Sequence, residues 1–216
     1  MITIRPASLN EIDTLNKLIA LSAAELSRDD YTEQQIHSAI QYVFGVDTDL
    51  VTDQTYFVIE KDGEIAGCGG WSKRKTLFGG SQYAEREDTQ YLDPTKDAAK
   101  IRAFFIHPQF ARQGLGTLLL KHCEQEAFLH GFDQFEMMAT LPGVKLYKNL
   151  SYRPLSDEVL TLKNNVSLTL VRMRKCLKDF SLIRASERFI LFQQQDLNEE
   201  KNSIDTVAAS LAYPKQ

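Results

Sequence analysis

Residues 101–120 read IRAFFIHPQFARQGLGTLLL, and this stretch decides how the chain folds. Its first six residues, Ile101 to Ile106, form the most apolar strand-like run in the sequence, and a turn with two glycines follows. The leucines after the turn recur at helical spacing, and Gly131 ends that helix. A second strand, Phe135 to Thr140, completes a strand, helix, strand unit. Such a unit predicts two parallel strands joined by a right-handed connection.

The glycine turn is the clearest candidate for a ligand site. Gly114 and Gly116 allow backbone N–H groups to approach a ligand, and the positive end of the following helix dipole points at the same place. These features fit a phosphate or pyrophosphate, although two glycines also make an ordinary tight turn. Leu119 occupies the third glycine position of a dinucleotide fingerprint, and no Gly-Lys-Ser/Thr follows as a P-loop requires.

The elements around this unit predict a mixed sheet. Ile2 and Ile4 alternate with polar residues as a short strand would, and capping boxes at residues 8–11 and 32–35 predict two amphipathic helices. Asp62-Gly63 separates two β-rich runs, 55–60 and 65–71, which predicts an antiparallel hairpin. Residues 72–98 are interpreted as a long excursion, 144–150 as a short helix, and 159–162 with 168–173 as a closing hairpin. The fold class is therefore α/β with mixed α+β character.

Composition excludes several classes of protein. The chain has 216 residues, is 43% hydrophobic and 25% charged, and carries a formal net charge of −4, which argues against a nucleic-acid binder. Cys68, Cys123 and Cys176 lack metal-ligand spacing, so no metal site is expected. No window approaches the ~18 apolar residues of a membrane span, so we expect no membrane partner and a cytoplasmic location.

The stretch 101–120 resembles the coenzyme A-binding segment of the GNAT superfamily of N-acetyltransferases, and the order of elements over residues 1–175 is similar to that fold. The resemblance implies a central, mostly antiparallel sheet, with helices on both faces and one parallel strand pair splayed around acetyl-CoA. It implies a pyrophosphate held by the backbone of the turn and pantetheine beside Phe105 and Ile106, where a strand N–H faces the thioester carbonyl. The turn residues so assigned are Arg112, Gln113, Gly114, Leu115, Gly116 and Thr117.

Tyr147 occupies the position from which that family usually protonates the departing thiolate. Packing under the sheet is the other interpretation of this aromatic residue. The chain departs from the family pattern in two places. Ala111 replaces a usual Gln or Arg, and Ser151 stands where a left-handed glycine is expected at a helix end.

The acceptor side carries weaker signals. Trp71 lies just before the basic run Lys73 to Lys75. Trp71 and Arg74 are candidate substrate-binding residues that would select an acidic acceptor. In the alternative interpretation, Trp71 belongs to the core and the basic residues are solvated charges. Arg102 is either the partner of an acid or a pocket cation. A general base is not singled out among His107, Glu85 and Glu87.

The sequence thus predicts an acetyl-CoA-dependent N-acetyltransferase that acts on a primary amine of a small molecule or protein, by direct attack in a ternary complex. An acyl-CoA-binding or sensor module of the same fold that lacks catalysis is the alternative, and a nucleotide-binding protein is a third possibility. The predicted domains are residues 1–175 for the acetyltransferase and 176–216 for a C-terminal extension of unknown role. A homodimer is possible.

Overall fold

Seven strands of the described residues pair into one mixed sheet in the order β1-β2-β3-β4-β5-β7-β6. The computed structural model describes residues 1–83 and 90–177. The strands are β1 (Ile2–Pro6), β2 (Tyr56–Lys61), β3 (Glu64–Ser72), β4 (Ala99–Ile106), β5 (Gln134–Thr140), β6 (Arg153–Thr161) and β7 (Ser167–Cys176). Within this sheet β4 and β5 are parallel and the other pairs are antiparallel, which confirms the predicted fold class.

Helices cover both faces of the sheet. They are α1 (Ile12–Leu26), α2 (Glu33–Tyr42), α3 (Thr48–Thr52), α4 (Leu115–Leu129) and α5 (Leu141–Asn149). Val58 of β2 lies in one core cluster with Leu15 and Ile19 of α1. Its neighbour Phe57 contacts the ring of His122 on α4, with centroids 4.5 Å apart. Because adjacent strand residues point to opposite faces, α1 and α4 lie on opposite sides of the sheet.

Helices α1 and α2 begin near the capping boxes that the sequence predicts. The Ser8 N–H donates to Glu11, and the Thr32 N–H donates to the Gln35 side chain at 2.9 Å. The predicted hairpin turn is also present, because Asp62 and Gly63 both have positive φ, at 53° and 87°. Short-range residue patterns therefore specify these three features.

The parallel pair separates soon after it forms. Pairing between β4 and β5 is confined to Ala99 with Phe135 and Lys100 with Glu136. Beyond these pairs, toward Ile106 and Thr140, the two strands diverge, which opens the sheet at their carboxyl ends.

A bulge in β4 accompanies this opening. Arg102 pairs with Gly70 and Phe105 with Cys68, so β4 has one more residue than β3 between these pairs. Ala103 takes a positive φ of 54°, and the buried Tyr56 hydroxyl donates to its carbonyl at 3.1 Å.

Several predicted bounds differ from the structure. The helix predicted at 144–150 begins at Leu141, because Thr140 is its N-cap and Pro142 occupies its first turn, where proline is tolerated. The closing hairpin is longer than predicted, and helix α3 was not predicted. Ser151 has a φ of 70°, so serine holds the left-handed position where the family has glycine.

None of the helices in residues 1–83 and 90–177 is long and apolar enough to cross a membrane. The candidate bases Glu85 and Glu87 lie outside the described residues, as does the segment beyond residue 177. The predicted domain boundary at residue 175 stays a prediction.

Candidate active site

The glycine turn presents a row of backbone N–H groups. Arg112 and Gly114 both adopt positive φ, at 64° and 83°, and Gly114 is the N-cap of α4. Within the described part of the chain, no backbone carbonyl accepts a hydrogen bond from the N–H groups of residues 112–117. These donors and the helix dipole suit an anionic group such as a pyrophosphate.

Space for a ligand is present over the turn. A Cβ added at Gly114 would meet no heavy atom within 4 Å, whereas one at Gly116 would lie 3.3 Å from Leu146. Gly114 therefore faces open space, and Gly116 allows α4 to pass close to α5.

A cavity of about 530 Å³ extends from this turn to α5. Phe105 and Ile106 of β4, beyond the point where β4 leaves β5, form part of its wall. The turn residues Arg112, Gly114, Leu115, Gly116 and Thr117 also line it, whereas Gln113 does not, and the Gln113 side chain instead receives a hydrogen bond from Lys61. Two further walls come from α1 and α5 and include Ser22, Leu26, Pro142, Gly143, Leu146 and Tyr147.

A smaller pocket of about 70 Å³ adjoins the large cavity. Both spaces are bordered by the same five residues at their junction: Phe44, Phe104, Phe105, Thr140 and Tyr147. The small pocket then continues between β4, β5 and the loop around Phe78. The site therefore has a long compartment beside the anion-binding turn and a short compartment beyond Tyr147.

Tyr147 stands between the two compartments. Its side chain is 8% exposed and packs edge-on against Tyr152, with ring centroids 6.0 Å apart. Gly143, one turn earlier on α5, makes room for it, because a Cβ there would lie 2.8 Å from the Tyr147 ring. Burial raises the pKa of the Tyr147 phenol above its usual value of 10, so the hydroxyl is protonated at neutral pH.

Comparison with known proteins identifies the family. The Acetyltransferase (GNAT) family profile matches residues 20–152, which include the whole lining of the large cavity. The chain belongs to the GNAT acetyltransferase family.

Solved GNAT structures share the fold. A GCN5-related N-acetyltransferase from Rhodopseudomonas palustris superposes with a TM-score of 0.60 and 16% identity, over 81% of this chain and 95% of that one. A putative acetyltransferase from Salmonella typhimurium, solved with acetyl-CoA, has a TM-score of 0.55 and 17% identity over 82% and 95% of the two chains. The PaiA N-acetyltransferase of Thermoplasma acidophilum, solved with coenzyme A, has a TM-score of 0.53 and 13% identity over 82% and 99%. A comparison with curated proteins finds no match.

The two residues predicted to bind substrate in this GNAT chain have partners elsewhere in the fold. Trp71 is fully buried, and its ring packs against His130 and Phe132 on the α4 side of the sheet. Arg74 forms a two-pronged ion pair with Asp53, at 2.8 and 2.9 Å. Neither residue is part of the lining of the large cavity or the small pocket. The core and an ion pair engage these two side chains, and their assignment as acceptor contacts stays a prediction.

The neighbours of Arg74 are similarly engaged. The Lys73 ammonium lies 5.7 Å from the Tyr91 ring centroid, and Lys75 donates to the Gln90 side chain at 2.7 Å. Each cation of the basic run thus has a local contact, and its role in selecting an acidic acceptor stays a prediction.

His107 has a local structural role. Its Nδ1 accepts the Gln109 N–H at 3.3 Å, and its ring packs 5.8 Å from that of Phe110. It does not line either compartment. The interpretation as a turn residue is therefore favoured over that of a base.

Arg102 is the partner of an acid and also a wall of the small pocket. Its guanidinium lies 2.6 Å from Asp47, and the two side chains are 2% and 0% exposed. It also donates to the Gly79 carbonyl. In the described part of the chain, no three His, Cys, Asp or Glu side chains group as metal ligands would.

Sequence reasoning missed several residues of the site. Phe44, Thr140, Gly143 and Met138 line it but carry no catalytic motif. Thr140 had a readable signal, because a threonine two residues before a proline is typical of a helix N-terminus. The others are brought to the site by tertiary packing.

Proposed function

We propose that this protein transfers the acetyl group of acetyl-CoA to a primary amine of a small molecule or a protein, by direct attack of the amine on the thioester. The observation that carries the proposal is the continuous path from the donors of the glycine turn, along the opened end of β4, to Tyr147. Acetyl-CoA supplies the activated acetyl group.

Residues 112–117 would bind the pyrophosphate through backbone N–H groups, which need no side-chain charge. Phe105 and Ile106 would hold the pantetheine arm where β4 lacks a partner on the β5 side. A strand N–H there would donate to the thioester oxygen as negative charge develops on it. These roles agree with the family resemblance and, for every residue named except Gln113, with the cavity walls.

Tyr147 would donate its phenolic proton to the sulfur of the departing thiolate, while the attacking nitrogen loses one proton to solvent, and solvent returns a proton to the phenolate. Its pKa is raised by burial and lies above the ~8.5 of an ordinary thiol. Complete transfer before the C–S bond breaks is therefore unfavourable, and the proton would move as charge develops on sulfur.

Direct attack is preferred to an acetylated cysteine. Cys68 and Cys123 are fully buried, and burial raises the pKa of the Cys68 thiol to about 12 and that of Cys123 well above its usual value. Cys176 is half-buried and lines neither compartment. None of these thiols suits a nucleophile beside Tyr147.

The test is acetyl-CoA turnover with a panel of primary amines, followed by thiol release and by mass spectrometry of the acetylated amine. We expect one thiol released for each amide formed. Stabilisation by acetyl-CoA without release of coenzyme A thiol in the presence of any amine would support the non-catalytic binding module instead. A melting temperature unaffected by millimolar acetyl-CoA would refute the assignment of the co-substrate.

A further inference from the structure

The small pocket, named here the acceptor pocket, has walls that indicate what kind of amine the enzyme acetylates. It meets the large cavity at Tyr147, where the acetyl group would be transferred. An amine that attacks there has to place its side arm in the space beyond. We propose that the acceptor pocket takes an uncharged, apolar side arm of about five to seven non-hydrogen atoms. The inference rests on the proposed function and specifies its acceptor.

Apolar side chains dominate the walls of the acceptor pocket. The rings of Phe44, Phe78 and Phe104 surround it together with Met138 and Leu170. Phe44 is fixed by a tilted contact with Phe105, at 5.5 Å between centroids, and Phe78 by one with Tyr83, at 5.1 Å. Flat aromatic walls and a methionine favour an alkyl chain or an aromatic ring.

The charge in the pocket is already neutralised. Arg102 lies against Asp47 at 2.6 Å, with both side chains almost fully buried, and also donates to the Gly79 carbonyl. A carboxylate on the acceptor would have to compete with Asp47 for Arg102, and an ammonium would have to compete with Arg102 for Asp47. Either would add an unpaired charge to a buried place, which is costly.

One backbone hydrogen bond holds the loop wall of the pocket. The Gly80 N–H donates to the Val43 carbonyl at 2.8 Å, which joins the loop around Phe78 to the end of α2. This bond keeps the loop that carries Phe78 beside the residues that follow α2.

The volume limits the size of the arm. One enclosed water needs roughly 10–15 Å³ on the same scale. A pocket of about 70 Å³ therefore has room for about five to seven non-hydrogen atoms. This matches a pentyl or hexyl chain or a phenyl ring.

The first experiment measures kcat/KM for n-alkylamines from propylamine to decylamine, together with benzylamine. Diamines and ω-amino acids of the same length serve as charged counterparts. We expect kcat/KM to rise about fourfold for each methylene and to stop rising when the pocket is full. The charged counterparts should fall at least tenfold below the alkylamines. A preference for a diamine or an ω-amino acid overturns the proposal, as does a flat response to chain length.

The second experiment fills the pocket. Met138→Phe adds volume to the wall, so the best chain should become shorter by about one or two carbon atoms. The matched control is Val159→Phe on β6, where the side chain is 67% exposed and is not part of the pocket lining. The control should keep the wild-type optimum. The acetyl-CoA-induced rise in melting temperature, measured for both variants, shows that they fold and keep the large cavity. An optimum that Met138→Phe leaves in place contradicts the assignment of this pocket.

Failure of the acceptor class and failure of the proposed function are distinguishable. If coenzyme A thiol is released only with charged amines, the proposed acetyl transfer is supported and the apolar acceptor is wrong. If no amine causes coenzyme A thiol to be released, the proposed function fails. Amine binding to the pocket then tests the pocket assignment. Hexylamine should then raise the melting temperature of the coenzyme A complex more than propylamine or 1,6-diaminohexane does. Equal effects of the three amines would overturn the pocket assignment as well.

Discussion

The hydroxyl of Tyr31 accepts a hydrogen bond from the backbone N–H of Leu141, with 3.0 Å between oxygen and nitrogen. Leu141 is the first residue of α5, and the Thr140 side chain provides no cap to this helix. The same hydroxyl donates to the Thr169 carbonyl on β7 at 2.6 Å. Tyr31 thus joins the loop after α1 to both β7 and the start of the helix that carries Tyr147. Burial raises the pKa of its phenol to about 12, so it stays a donor at any physiological pH.

We predict that Tyr31→Phe lowers kcat several-fold while it leaves the affinity for acetyl-CoA near the wild-type value. The change keeps the ring in its core cluster and removes only the hydroxyl, so the Leu141 N–H loses its acceptor. The free energy of unfolding should fall by about 1–2 kcal/mol. Tyr31 acts through α5, so it is a positioning residue rather than a catalytic one.

Gln35→Met is the control for this prediction. The Gln35 side chain donates to the Ser167 carbonyl at 2.7 Å, so it also ties this region to β7, but it makes no bond to α5. Its loss should reduce stability and leave kcat unchanged when both are measured well below the melting temperature. Equal effects of the two variants on kcat would show that Tyr31 is only a structural tie.

A second prediction concerns the glycine turn. Gly114→Asp should abolish the stabilisation by acetyl-CoA, because a carboxylate would enter the anion-binding turn. Stabilisation of the wild-type protein at ~100 times Kd should amount to about 2.7 kcal/mol. Gly114→Asn is the matched control. Both side chains face the same open space and the same positive φ of 83°, which Asp and Asn tolerate better than other residues.

Only charge distinguishes the two variants, so Gly114→Asn should retain most of the acetyl-CoA effect. The measurement is the shift of melting temperature as acetyl-CoA is titrated at low salt. Equal loss in both variants would mean that backbone strain, rather than repulsion of a pyrophosphate, explains the effect.

Elements set by neighbouring residues were predictable from the sequence, and elements set by distant contacts were not. The capping box at Thr32 and the Asp62-Gly63 turn each depend on residues within four positions of one another. The start of α5 depends on Tyr31, which is 110 residues away from Leu141 in the chain. No local pattern reports this contact, although Thr140 and Pro142 were a readable local signal for a helix that starts at Leu141.

The acceptor side shows the same limit. Arg74 was assigned to substrate because its local context is a basic run, yet its ion pair is with Asp53, 21 residues away. Arg102 and Asp47 are 55 residues apart, and only the folded sheet brings them together. The glycine turn was readable because its function depends on the backbone of consecutive residues. The acceptor pocket is assembled from β4, β5, β7, α5 and two loops, so its chemistry is visible only after folding.

A third prediction uses the buried carboxylate at the start of the parallel pair. Glu136 is 1% exposed, and it accepts hydrogen bonds from Lys100 at 2.6 Å and from Arg172 and Arg174 of β7. Burial acts to raise the pKa of Glu136, but the bonds from Lys100 and Arg172 outweigh it and lower the pKa to about 2. A carboxylate with a pKa depressed below its ordinary value of 4.5 stabilises the fold above that pH.

The stability from Glu136 should therefore be lost as the pH falls from 4.5 toward 2. Glu136→Gln should flatten the pH dependence of the free energy of unfolding in that window. At pH 7 it should cost roughly 2–3 kcal/mol, less than the ~3–5 kcal/mol for breaking a fully buried pair, because Arg172 and Arg174 are 40% and 41% exposed. Glu25→Gln is the control, because it removes the same charge from an exposed helical ion pair with Arg28. It should leave the pH dependence of the free energy of unfolding unchanged. Parallel profiles for wild type and Glu136→Gln would contradict the depressed pKa.

The last prediction is that Tyr147→Phe lowers kcat while stability and acetyl-CoA affinity stay near wild type. The ring packs on Tyr152 and over Gly143, and phenylalanine keeps those contacts. Only the hydroxyl at the junction of the two compartments is removed. General acid catalysis is typically worth ~10²–10⁴-fold, so the low end of that range is easily measured. Single-turnover kinetics of thiol release isolate the chemical step from product release.

The leaving group provides the sharper control. An acyl donor whose thiol has a lower pKa needs less help from an acid, so Tyr147→Phe should lose less activity with it than with acetyl-CoA. An equal loss with both donors would mean that the hydroxyl positions the substrates without moving a proton. A loss of acetyl-CoA affinity with kcat intact would mean that it only holds the co-substrate. Unchanged single-turnover rates would remove Tyr147 from the mechanism and leave water as the proton source.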